Sequence, residues 1–180
     1  DGTFVYVPRG VTVDEPIVVT TAHEQAGTAL HWRLLVVLEE DAQASVWHES
    51  SSAGDGLING VVELVVGQNA RLRLVDLQDL EETSWVFGTQ RATVGRDGSL
   101  DWITLGFGSA NGKVFQETQL AGAGAHGSVT GAYATRGRQH IALSQSRIGH
   151  IRKQVIFAPA RRYAGFGVVR RFRGVAADEI

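Results

Sequence analysis

Cysteine and methionine are both absent from the 180 residues, and proline occurs only three times. Without cysteine the chain has no disulfide, no thiolate nucleophile and no zinc–thiolate site. No apolar run approaches the roughly 20 residues that a membrane-spanning helix needs, so the sequence predicts a soluble protein. The opening DGTFVYVPRG has neither the basic start nor the apolar stretch of a secretory signal. Charge of one sign is lacking too. With 17 basic against 19 acidic residues, a formal charge of −2, there is no positive field to gather nucleic acid. The lack of even an initiating methionine predicts a single core domain, residues 1–180, truncated at both ends relative to a longer protein.

Sustained 3.6-residue periodicity is also missing. LVDLQDLEETSWVF has room for one short helical turn around Asp79–Ser84 and nothing longer. What is plentiful is glycine, with 22 residues. Aromatic and β-branched residues alternate between Gly, Asn and Asp clusters, which is the pattern of strands and turns. The chain therefore reads as all-β.

A repeat then sets the architecture. Ala42, Ala70 and Gly98 are spaced twenty-eight apart, each preceded by a short polar residue, Asp41, Asn69 and Asp97. Two positions on come Ala44, Leu72 and Leu100; four on come Val46, Leu74 and Trp102. Upstream, Val36, Leu64 and Ala92 align, as do Leu38, Val66 and Val94. A fourth copy is expected with Gly127 as its small corner residue, after His126, which puts Val129 in the column of Leu100. A weaker fifth copy centres on Ala160, and VPRGVTV around Gly10 resembles an opening one. Strands of five to seven residues recurring at this period, each unit with a long arm such as Gly106–Gln119, fit a parallel β-helix in which equivalent positions stack into columns. Its alternative is a β-sandwich. Inward columns would hold Leu72 and Leu100, while Arg73 and Asp101 would stand side by side outside.

Reactive side chains are few. Of six histidines, His23, His31, His48, His126, His140 and His150, no two have a spacing that aims both at one metal ion from one element. His140 and His150, ten apart in RQHIALSQSRIGHI, are the candidates for a ligand role. The acidic clusters Glu39–Asp41 and Asp76, Asp79, Glu81 and Glu82 read as solvated turns. A carbohydrate lyase or hydrolase would use such carboxylates, but it also wants exposed aromatics, and only Trp47 and Trp85 are available. GFGSANGK (Gly106–Lys113) lacks the following helix start and Lys–Ser/Thr pair of a phosphate loop, so it reads as a loop between coils. The arginines of the last forty residues, from RGRQH to VVRRFRG, read as an outer strand face that could serve for docking.

GTFVYVPRGVTVDEPI, VVELVVGQNARLRLVDLQ, TQRATVGRDGSLDWITLGFGS and GAYATRGRQHI, in this order and spacing from Gly2 to about His150, resemble the SufB/SufD family of iron–sulfur cluster assembly scaffolds. The resemblance implies a right-handed parallel β-helix, a cytoplasmic setting, and a non-catalytic scaffold role beside a SufB-like paralogue and a SufC-like ATPase. A structural solenoid is the further alternative. The chain departs from the family pattern at Ala142, where an aspartate is usual, between His150 and Ala160, which is shortened, and at YAGFGVV, where an asparagine is lost. The family's Cys/His region and ATPase surface lie C-terminal to Ile180, so no family ligand is carried over. The absence of cysteine favours the SufD side. The implied cofactor state is none for the isolated chain, with an iron–sulfur cluster only inside a complex. The stretch YAGFGVVRRFRGV has no polar cap and is expected to pair with another chain, a second copy in a homodimer or the paralogue.

Overall fold

The computed structural model describes residues 2–135, 138–148 and 170–175, and among them every regular element is a strand. In chain order these are β1 (Gly2–Val7), β2 (Ile17–His23), β3 (Thr28–Leu38), β4 (Gln43–Ser52), β5 (Gly56–Val66) and β6 (Arg71–Leu80). They continue with β7 (Trp85–Val94), β8 (Ser99–Gly108), β9 (Asn111–Leu120), β10 (His126–Tyr133), β11 (His140–Ile148) and β12 (Arg170–Val175). Odd-numbered strands form one sheet in the order β1-β3-β5-β7-β9-β11, and even-numbered strands form the other. Consecutive strands are never sheet neighbours. Each coil contributes one strand to each sheet, and all pairs from β1 to β11 are parallel. This is a parallel β-helix, not a sandwich of hairpins.

The columns stand where the repeat predicts. Val36 pairs with Leu64 and Leu64 with Ala92, while Leu72 lies between Ala44 and Leu100. Leu34, Val36, Val46, Leu74 and Trp102 are fully buried in one core lined by both sheets. Alternation with period two sends every second side chain inward, so stacking equivalent positions makes a continuous apolar interior from short local patterns. Ala70 sits between Ala42 and Gly98, joined by Arg71 N–H to Ala42 C=O at 2.9 Å and Ser99 N–H to Ala70 C=O at 2.8 Å.

The corners from β3, β5 and β7 into the next even strand are four-residue turns whose third residue takes a left-handed backbone, φ being 60° at Asp41, 52° at Asn69 and 54° at Asp97. The corner from β9 into β10 is one residue longer, and Gly124, with φ 70°, takes the same place before its last residue. Gly, Asn and Asp are the residues that tolerate this region. The residue before the small pivot, not the pivot itself, therefore makes the bend. This corrects the fourth coil. Gly124 is its left-handed residue and Ala125 its buried pivot, so Gly127 pairs with Leu100 and Val129 with Trp102. Aligning small residues rather than left-handed ones displaces the register by two.

Three further expectations change. Strands β3 to β9 run 10 or 11 residues, not five to seven, because inward polar residues such as His48, Ser50 and Asp76 extend the strands where the sequence suggests turns. Gly106–Gln119 is no arm: it is the end of β8, a corner at Ser109 and Ala110, and most of β9. A side chain at Gly108 would put its Cβ 1.6 Å from the Leu80 carbonyl oxygen, so that corner requires glycine twice over, for space and for its φ of 80°. Around Asp79–Ser84, β6 runs to Leu80 and a turn follows, closed by Ser84 N–H on Glu81 C=O at 3.0 Å.

Arg170–Val175 pairs antiparallel with β10 of the same chain, from His126↔Val175 to Gly131↔Arg170. Where the sequence suggested pairing with another chain, Arg170–Val175 covers the edge of β10 within the same chain. Ala160, the centre of the fifth copy, and Tyr163–Val169 lie outside the described residues.

Candidate functional site

The even sheet aims an unusual set of polar side chains into the interior. His48 on β4 is 1% exposed, and its Nδ1 lies 2.8 Å from Asp76 Oδ1 on β6. A carboxylate only accepts, so His48 Nδ1–H is the donor. The other ring nitrogen meets Thr21 Oγ1 at 3.1 Å, and the Trp32 ring lies against the imidazole with centroids 4.5 Å apart. Gln90 on β7 donates Nε2–H to Asp76 Oδ2 at 2.6 Å, and Gln116 on β9 donates to Gln90 Oε1 at 3.3 Å and Thr104 Oγ1 at 3.4 Å. The chain Thr21–His48–Asp76–Gln90–Gln116 thus crosses the core from one sheet to the other.

Each link follows from the coil period. His48 and Asp76 occupy the same column one coil apart, as do Gln90 and Gln116. Burying these groups costs free energy unless they pair, and here each finds the next. Asp76 was expected in a solvated turn; it is buried because β6 continues through it to Leu80. The repeat spacing was the signal that could have linked His48 to Asp76.

The other sequence candidates are dispersed. His140 is exposed at the start of β11, opposite Asn111, and His150 lies outside the described residues. His31 is exposed beside Asn59, and His126 is half-buried opposite Ser99. His23 is buried, with Nε2 2.9 Å from Thr28 Oγ1. The Thr28 hydroxyl gives its proton to Gln25 C=O at 2.6 Å, so His23 Nε2–H must donate to it. Among the described residues no three His, Cys, Asp or Glu side chains converge as a metal site requires. With no cysteine in the sequence, the donor set on these residues does not fit an iron–sulfur cluster.

The first acidic cluster is built into the opening corner. Glu39 accepts hydrogen bonds from the Tyr6 hydroxyl and from Arg9 N–H, the latter at 2.9 Å. The Tyr6 bond is the larger cause of a Glu39 pKa below the ordinary carboxylate value; the same bond raises that of Tyr6. Glu40 pairs with Arg9, and Asp41 with Asn69. The exposed tryptophans do not share a groove either, since Trp47 stands on the even sheet and Trp85 on the odd one. The expectation that only Trp47 and Trp85 are available is corrected: Phe4, Tyr6, Phe87, Phe107 and Phe115 are exposed as well. No helix among the described residues is long and apolar enough to cross a membrane.

A family model described as the SUF system iron–sulfur cluster assembly SufBD core domain matches residues 19–154. An iron–sulfur cluster assembly SufBD family protein of Staphylococcus epidermidis is 26% identical over 141 residues, covering 76% of this chain and 30% of its own length. The iron–sulfur cluster assembly protein SufD of Bacillus subtilis is 27% identical over 143 residues, covering 77% of this chain and 32% of its own length. The chain thus spans about a third of the length of the curated relatives it matches. No solved structure matches it. The stacked columns, the left-handed corners and the family model agree, and the chain belongs to the SufBD core family of the SUF system for iron–sulfur cluster assembly.

Proposed function

We propose that this chain is the β-helix core of a non-catalytic, cytoplasmic scaffold subunit that works with a SufB-like paralogue and a SufC-like ATPase. The observation that supports this reading best is the outer face of the odd sheet, where Phe4, Tyr6, Val65, Trp85, Phe87 and Phe115 are all 40% exposed or more. They fall in two clusters, Phe4 and Tyr6 toward Val65, and Trp85 and Phe87 with Phe115, on either side of the charged row Glu63, Arg91 and Glu117. Exposed apolar clusters of this kind suit contact with another protein. Inside, the polar groups of the His48–Asp76 chain are spent on one another, and His48 at 1% exposure is out of reach of a substrate. A second copy of the chain takes the paralogue's place when the paralogue is absent.

Co-expression of the full-length protein with both partners tests the complex. Co-purification of all three is expected; recovery of the full-length protein free of both partners would overturn the proposal. Cluster chemistry has its own test, anaerobic incubation of the 180-residue chain with iron and sulfide. We expect no cluster absorption to survive desalting, because any cluster takes its thiolates from a partner. A stoichiometric signal would refute this, and its loss in His140→Ala or His150→Ala would name the ligand.

A further inference from the structure

Next to the buried polar chain lies a cavity of about 40 Å³, and its walls are chemically uneven. The odd sheet supplies the inward column Trp32, Gly60, Gly88 and Val114, and the even sheet faces it with Asp76 and Gln78. The Trp32 indole takes the space over Gly60: a Cβ there would lie 2.4 Å from Trp32 Cε2. At Gly88, one coil on, no indole fills the equivalent place. A Cβ built on Gly88 would meet Gly60 O and both Val114 methyls at an ordinary 3.5 Å. The missing side chain at Gly88 is therefore spare room in the core.

Two buried donors on the wall of this space, Trp32 Nε1–H and Gln78 Nε2–H, have no hydrogen-bond partner in the protein. Unpartnered donors call for an acceptor. An anion is excluded by the neighbouring Asp76 carboxylate, and a cation by the two donors. A neutral molecule that both accepts and donates satisfies all three groups. Water does this, and a volume of about 40 Å³ has room for about three waters, since each needs on the order of 10–15 Å³ of such space. We propose that the Gly88 cavity is a built internal water site, held by Trp32, Gln78 and Asp76. It joins ordered water to the chain that runs through His48 and Gln116.

The test is water-selective NMR on the ¹⁵N-labelled 180-residue chain. A rotating-frame cross-peak from water to the Trp32 indole proton, with the sign of dipolar contact and not of exchange, is expected in the unmodified protein. Gly88→Ala takes up part of the space and should weaken it several-fold while the amide spectrum keeps the native pattern. If Gly88→Ala does not fold, Gln78→Met removes one donor and should weaken the cross-peak several-fold. Absence of the cross-peak in the unmodified chain, or its survival at full strength in the folded variant, would overturn the assignment. So would a xenon-induced shift of the Val86 and Val114 methyls in the unmodified protein, because xenon enters dry cavities.

Discussion

Asn69 donates its side-chain amide to the Asp41 carboxylate one coil away, at 2.6 Å, and both residues hold left-handed backbones. Asn69 thus serves its corner twice, through its tolerance of φ 52° and through a bond along the stack. Asn69→Val forces a β-branched residue into that region and deletes the bond. We expect a loss of about 2–3 kcal/mol, from about 1–2 for the backbone and about 1 for the hydrogen bond. Asn69→Gly keeps the conformation and should fall by less in urea denaturation. A glycine variant as unstable as the valine one would contradict the backbone argument.

Arg73 Nε lies 3.5 Å from Asp101 Oδ2 on the outside of the even sheet, as the column alignment predicts. Both side chains are about half exposed, so the pair is worth about 0–1 kcal/mol and is screened by salt. Arg73→Ala should move the denaturation midpoint little, and less still at 1 M salt. By contrast Leu74→Ala, one position inward and fully buried, should cost about 2–5 kcal/mol. Comparable losses for the two variants would mean that the inside and outside of the coil are misassigned.

Asp76 accepts from His48 and from Gln90 in the interior. Asp76→Leu keeps the volume but strands both donors, at about 1–3 kcal/mol each. Thr21→Val removes only the outer link of the chain and should cost less. Thermal unfolding of the two variants gives the ranking, and a Thr21 variant that is the weaker of the two would show that Asp76 is not the hub.

The opening corner has a pH signature. The Tyr6 hydroxyl bond, followed by the Arg9 N–H, lowers the Glu39 pKa in the folded chain. Stability from this carboxylate is therefore present above its unfolded pKa and lost as pH falls through the lower folded one. For Tyr6, raised first by the same bond, the contribution is present below the ordinary phenol pKa and lost as pH rises through the raised value. Tyr6→Phe should flatten the acid limb of a stability–pH curve near the Glu39 transition and remove the alkaline one. An unchanged acid limb would rule out the Tyr6 bond as the cause.

The legible part of this protein was the part with a short period. Alternation of two is written in neighbouring residues, so columns such as Val46, Leu74 and Trp102 could be read by aligning copies, and they pack as aligned. The polar residue before each pivot was visible at Asp41, Asn69 and Asp97, but its left-handed role was not, and Gly124 therefore went unrecognised in the fourth coil. The candidate site was less legible still. His48, Asp76, Gln90 and Gln116 are separated by 28, 14 and 26 residues, and each looks locally like a turn or surface residue.

The sequence alone determined an all-β chain, its coil period of about 28 residues, its family and the absence of any thiolate. Those follow from local alternation, spacing and composition. Only the tertiary structure decided which polar residues turn inward, that Arg170–Val175 folds back on β10, and that Gly88 leaves a hollow beside Trp32. Such facts depend on which coil stacks on which and on what volume is left between two sheets. No single strand encodes either.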